Sequence, residues 1–232
     1  MSFLRTLDLD YGQAEKELAE LRKFLNDNPI FKESKIVKEL KKRLHASCLI
    51  GSLIAGAPKP DLYKFEFPLL GTFRADLVVG SSHSRRFVLV EFEGAGVTSL
   101  FGPGGTALMR DWSKELEHGF GQLVDWAWQV NDAPGLTTLQ SAFGCNIAGA
   151  VSLLVCGRDA HMDIAERKRF DYRATKVAIQ GMITTVLTYD GLLVFLQDQI
   201  EAIKSYIHYG RTLLTEVEVS ESLTIAVRFN PA

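Results

Sequence analysis

Two neighbouring runs, Gly71-Thr72-Phe73-Arg74-Ala75-Asp76-Leu77-Val78-Val79-Gly80 and Arg86-Phe87-Val88-Leu89-Val90-Glu91-Phe92-Glu93, carry three carboxylates inside largely apolar sequence. β-branched and aromatic residues mark both runs as strands, and the polar stretch Ser81 to Arg85 between them reads as a hairpin turn. With the hairpin centred between His83 and Ser84, Asp76 falls directly opposite Glu91. Directly opposed residues share a face with Cβ atoms about 5 Å apart. Glu93, two residues beyond Glu91, returns to the same face because strand side chains alternate.

Acids gathered on one face of an apolar sheet repel one another and are costly to bury unpaired. A divalent cation relieves that conflict. An all-oxygen donor set of Asp76, Glu91 and Glu93, with no His or Cys among them, suits Mg²⁺ or Mn²⁺ better than zinc. The alternative is structural: the acids face solvent on a one-sided sheet, or pair with Arg74, Arg85 or Arg86. The bulk of Phe87, Val88, Leu89, Val90 and Phe92 favours a strand buried on both faces.

Outward from the hairpin, the elements alternate in period. Ala14, Leu18, Leu21 and Leu25 make an amphipathic helix over Gln13 to Asn28, closed by Pro29. A second helix is expected from Ser34 to Leu53. Strands follow over Tyr63 to Leu70, Arg74 to Gly80 and Arg86 to Glu93. A Gly-rich loop, Gly94 to Thr106, matches neither a Walker A sequence nor a dinucleotide fingerprint. It reads as a mobile segment beside the site or as a plain connection. A helix over Trp112 to Asn131, a buried strand over Ile147 to Gly157 and a helix over Asp163 to Lys176 come next. An αβ-like stretch from Met182 to Leu196, a helix over Gln197 to Tyr209 and an edge strand over Ser222 to Arg228 complete the reading. Consecutive strands followed by a helix and another strand predict an α/β fold with a mixed central sheet flanked by helices.

The chain has 232 residues, 47% of them hydrophobic and 23% charged. That length buries roughly 70% of the unfolded chain's surface, so one domain spanning residues 1–232 is expected to hold its own core. The net charge of −2 argues against a histone-like or architectural DNA binder. Any nucleic-acid contact must come from a local patch. Residues 32–43 hold six Lys or Arg against Glu33 and Glu39, and Arg158, Arg167, Lys168, Arg169, Arg173 and Lys176 form a second, more diluted group. Either suits phosphate contacts or a solvated helix face. Cys48, Cys145 and Cys156 read as reduced thiols, and neither a signal-peptide pattern nor a membrane-length apolar run is present, which places the protein in the cytoplasm without membrane contact.

The Asp and Glu-x-Glu pattern resembles the PD-(D/E)xK nuclease signature. More specifically, the chain resembles the Shedu antiphage defence family (the SduA C-terminal domain, DUF4263). The likeness runs through Phe24-Leu25-Asn26-Asp27-Asn28-Pro29, Gly71 to Val79, Val88 to Glu93, and Glu117-His118-Gly119-Phe120-Gly121-Gln122-Leu123-Val124-Asp125-Trp126, within about residues 15 to 160. It implies a restriction-endonuclease-like core preceded by a helical segment at about residues 12–30. It also implies a Mg²⁺- or Mn²⁺-dependent DNA endonuclease or nickase acting in antiphage defence. Asp76 and Glu91 would hold metal, and Gln122 would be the helix glutamine beside the site, with Trp126 as its aromatic companion.

The departure is Glu93, which stands where the family pattern expects a catalytic lysine. A carboxylate there serves as a third metal ligand or as a general base. The positive charge then has to come from Arg110, Lys114 or protonated His118, and His118 shares a helix face with Gln122. His118 is therefore a candidate catalytic residue, against the simpler reading of a hydrogen-bonded helix histidine. For Trp112, Trp126 and Trp128, core packing is favoured over base stacking. DNA is the expected partner, and multimeric assembly suits a nuclease that cuts both strands. The alternative function is a catalytically degenerate module that binds DNA ends or a protein partner.

Overall fold

The computed structural model describes residues 4–55, 59–69, 73–106, 109–131, 133–176 and 183–206. Six strands, β1 (Arg5–Thr6), β2 (Leu62–Leu69), β3 (Phe73–Ser81), β4 (Arg86–Phe92), β7 (Gly149–Val155) and β8 (Ile183–Leu187), form one sheet in the order β1-β2-β3-β4-β7-β8. The pairs from β1 to β4 are antiparallel, whereas β4–β7 and β7–β8 are parallel. The mixed α/β sheet expected from the sequence is thus present.

Helices cover both faces. On one side α1 (Tyr11–Asp27), α2 (Glu33–Lys42), α3 (Leu44–Leu49) and a helix over residues 189–206 (α7) pack Leu18, Leu21, Ile36, Leu40 and Leu196 against Leu77, Val79, Val88 and Val90. On the other, α4 (Lys114–Asn131), α5 (Ala133–Phe143) and α6 (Ile164–Lys176) set Leu123, Trp126, Phe143 and Phe170 against Val78, Phe87, Leu89 and Leu154. The central strand β4 is buried along nearly its whole length because each face meets a helical layer. Among the described residues no helix is long and apolar enough to cross a membrane.

Several elements differ from the sequence expectation. The single helix expected from Ser34 to Leu53 is broken at Arg43, which leaves the helical region, and ends in a 3₁₀ turn over Ile50–Leu53. Buried polar groups hold the break. Ser47 Oγ donates to the Leu40 carbonyl at 2.9 Å, and Glu17 Oε2 accepts from the Ala46 N–H at 3.0 Å. Both partners are backbone groups that a continuous helix would satisfy internally.

The Gly-rich segment is partly a β-ribbon, β5 (Phe101–Thr106) paired with β6 (Met109–Trp112). At Gly105, φ is +104° and a Cβ would lie 2.2 Å from the Met109 carbonyl oxygen, so only glycine fits there. Helix α5 was not anticipated. The expected edge strand over Ser222 to Arg228, and the end of the last helix beyond residue 206, lie outside the described residues.

Candidate active site

The β3–β4 ladder pairs Leu77 with Val90, Val78 with Leu89 and Gly80 with Phe87, the register that carries Asp76 opposite Glu91. Leu77, Val79, Val88 and Val90 point into one core, and Val78, Phe87 and Leu89 into the other. Alternation therefore puts Asp76 and Glu91 on the face that α4 covers. The Glu93 N–H continues beside β7, donating to the Val155 carbonyl at 2.9 Å. Glu93 thereby keeps the same alternation. Asp76, Glu91 and Glu93 are only 8%, 6% and 6% exposed, which removes the solvent-facing alternative. Arginine pairing is not seen either: Arg86 donates to the Ala55 carbonyl, and none of the three acids forms an ion pair with arginine among the described residues.

Helix α4 supplies the other wall. Its start is capped by Ser113, whose Oγ accepts from the Leu116 N–H at 2.9 Å. One turn later Gly119 lets the helix close on the sheet, since a Cβ there would stand 2.6 Å from Leu154 Cδ1 and 3.1 Å from Glu93 Cγ. This approach brings His118 Nδ1 to 2.9 Å from Glu93 Oε1. The Gln122 amide lies near enough to Glu91 to favour its ionised form, and its Nε2 is 3.5 Å from His118 Nδ1. From the opposite helical layer, the Tyr189 hydroxyl donates to the Glu93 carbonyl. The five site residues anticipated from the sequence, Asp76, Glu91, Glu93, His118 and Gln122, are therefore neighbours.

Their electrostatics are unfavourable for full ionisation. Burial, reinforced by the charges of Asp76, Glu93 and Glu33, pushes the Glu91 carboxyl up to about 9. Asp76 is raised to about 6 by burial, even though its Oδ2 accepts from the Phe92 N–H at 2.9 Å. Burial also raises Glu93, against the opposing hydrogen bond from His118. Glu91 Oε2 is buried and has no hydrogen-bond partner. An orphaned carboxylate oxygen among other acids needs a proton or a cation.

The donor set is chemically suited to a hard divalent ion. As placed, no three His, Cys, Asp or Glu side chains among the described residues converge to enclose one. Asp76 is held by Phe92 N–H and Glu93 by His118, so enclosing an ion requires rotation of these carboxylates.

A fourth acid escaped the sequence reading. Glu33 opens α2, and its charge acts on Asp76, Glu91 and Glu93. The isolated bridge between Phe31 and Ala95 brings the start of α2 beside the end of β4, and Gly94 permits the approach, because a Cβ there would stand 3.0 Å from the Phe31 carbonyl. Within its lysine-rich segment Glu33 reads only as a first-turn helix acid. The signal that could have singled it out is the contact between segments about 60 residues apart, which no local pattern encodes.

The cations resolve differently from one another. Arg110 is engaged by Glu166 through Nε at 2.5 Å and Nη2 at 2.7 Å, which makes it a structural fork rather than a partner of the acids. Lys114 is exposed and makes no ion pair among the described residues. Along residues 32–43, Lys41 pairs with Glu66 and Lys42 with Glu39 at the surface, while Arg43 and Glu39 form a largely shielded pair, 12% and 16% exposed. Arg158 and Arg167 serve Asp190 and Asp159. Of the tryptophans, Trp126 is core at 2% exposure, whereas Trp128 is 65% exposed, contrary to the expected packing.

The model of the Shedu protein SduA C-terminal family matches residues 14–193. No curated protein matches the chain significantly. The match runs from the first helix through the acid-bearing hairpin and α4 to the start of α7, and so contains every element of the site. By this match the chain belongs to the Shedu SduA C-terminal family.

Proposed function

We propose that the chain is a divalent-metal-dependent deoxyribonuclease, an endonuclease or nickase with a restriction-endonuclease-like (PD-(D/E)xK) core. Its family membership suggests a role in antiphage defence. The observation that carries the reading is the buried, mutually repelling set of Asp76, Glu91 and Glu93, with Glu91 Oε2 lacking any partner. Asp76 and Glu91 would hold Mg²⁺ or Mn²⁺, and Glu93 would either add a third oxygen donor or, in its bond with His118, accept a proton. When bound there, such an ion would lower the pKa of a bound water and offset charge on the scissile phosphate.

The protein's own groups carry the rest. Gln122 orients the Glu91 carboxyl. Glu93 fixes the His118 ring, which is 67% exposed and able to pass a proton to solvent. This Glu93–His118 pair stands in place of the expected lysine, as acceptor for the proton of attacking water rather than as a fixed positive charge. Asp76→Ala or Glu91→Ala is expected to abolish Mg²⁺-dependent cleavage of plasmid DNA while the circular dichroism spectrum is retained. Full activity in both variants would refute the assignment.

A second reading is favoured by one observation, that no three of these side chains converge as placed. In it the scaffold is non-catalytic and binds DNA ends or a protein partner. Calorimetry separates the two, because a degenerate site has no requirement for a divalent ion.

A further inference from the structure

Beside the acid pocket, α4, α6 and the end of β6 enclose an open groove of about 580 Å³ lined by Trp112, Phe120, Lys168, Arg169, Tyr172 and Arg173. We propose that this groove binds an unpaired segment of nucleic acid, stacking its bases on the aromatic and guanidinium planes and pairing its phosphates with Lys168 and Arg169. Its consequence for cleavage rests on the nuclease reading above and narrows that substrate to strands with an unpaired stretch next to the cleaved bond.

The walls of the groove are flat π surfaces. Trp112 is backed by Phe101, a fully buried ring outside the groove lining, with centroids 4.6 Å apart, and the Arg169 guanidinium lies 4.8 Å over Trp112 and 5.1 Å over Phe101. Arg173 lies over Trp112 at 4.9 Å and Phe120 at 4.4 Å. Tyr172, 68% exposed, leaves a further ring free at the rim. Aromatic faces interleaved with arginine bind bases without regard to sequence, because every base presents a π face.

The surface is also held in place. Arg169 Nη1 donates to the Arg110 carbonyl at 2.6 Å, and the Arg110–Glu166 fork ties β6 to α6. A preorganised platform loses little freedom on binding.

Charge selects the occupant. Arg173 is paired with Glu117, whereas Lys168 and Arg169 form no ion pair among the described residues. Three cations against one carboxylate leave the groove positive on a chain of net charge −2. An apolar peptide would leave Lys168 and Arg169 without counter-charges, while a strand supplies both phosphates and rings.

Position links the groove to the acids. Glu117 and Phe120 face the groove, and the intervening His118 and Gly119 meet Glu93. A strand seated on α4 therefore runs past the acid pocket within one helical turn.

The test is fluorescence anisotropy in EDTA with the full chain, using labelled dT15 and rU15, a blunt 15-base-pair duplex and an abasic 15-mer. Either single strand is expected to bind about tenfold more tightly than the duplex and the abasic strand. Tyr172→Ala, at an exposed site, should weaken single-strand binding about tenfold. Lys168→Glu should weaken it and reduce the salt dependence by about one phosphate contact. Equal binding of the abasic strand or the duplex, or unchanged binding in both variants, would overturn the proposal. Metal-free binding keeps the arms distinct. Single-strand binding retained by Glu91→Gln with no cleavage by wild type supports the groove and counts against the nuclease; cleavage that persists without any single-strand preference counts against the groove alone.

Discussion

At the scale of single residues, Glu91 governs the behaviour of the site. Glu91 and Asp76 hold protons more tightly in the folded chain, with values of about 9 and about 6, than as ordinary carboxyls near 4.5 and 3.8. Between pH 5 and 8 the folded state therefore carries more protons than the unfolded state. In the absence of metal its stability must fall as pH rises through that window. Urea unfolding is expected to show that decline, and Glu91→Gln to raise stability at pH 8 by ~1–3 kcal/mol and flatten the slope. A stability that climbs between pH 5 and 8 would contradict the protonation pattern. Gly119→Ala tests the close approach of α4. The new methyl meets Leu154 and Glu93, so a net loss of ~1–2 kcal/mol is expected despite alanine's better helix propensity. The three hairpin acids were legible in the sequence because strand alternation and a symmetric turn fix their face. Glu33 was not, because its place depends on the Phe31–Ala95 contact.

At the scale of elements, the Arg110–Glu166 fork is the charged link among the contacts that fasten the β5–β6 ribbon to α6, beside the Arg169 bond to the Arg110 carbonyl. Glu166 is buried at 4% exposure and relies on Arg110. Arg110→Ala leaves that carboxylate unpaired and is expected to cost ~3 kcal/mol in chemical denaturation. It should also speed amide exchange in residues 109–112. Unchanged exchange would show that the ribbon is held by other contacts. Strongly periodic segments such as α1, β3 and β4 were readable from sequence, within one or two residues at most ends. The break at Arg43 was not, since Ile36, Val37, Leu40 and Leu44 keep a helical period across it while Ser47 and Glu17 redirect the backbone from outside that pattern. The ribbon was equally hidden, because Gly102 to Gly105 carry no apolar alternation and pair only through backbone.

At the scale of the whole molecule, two helical layers close over one mixed sheet and leave the C-terminal end of β4 as the place where α2, α4 and the acids meet. Consecutive strands, a helix and a further strand sufficed to read that layering from sequence. The handing of α7 to the α1 side rests on long-range packing and was not readable. If the acids form a divalent site, ligand binding must stabilise the entire fold. At pH 8, Mg²⁺ at ten times its Kd should add about 1.4 kcal/mol and raise Tm, and chelation should reverse the gain. The decisive experiment is calorimetric titration of Mn²⁺ at pH 8 in buffers of different ionisation enthalpy, with wild type beside Glu91→Gln. Uptake by wild type with release of about one proton, lost in Glu91→Gln, is the predicted result. Absence of uptake by wild type, or uptake with the same proton release in the variant, would contradict the assignment of Asp76, Glu91 and Glu93 as a metal-holding catalytic site.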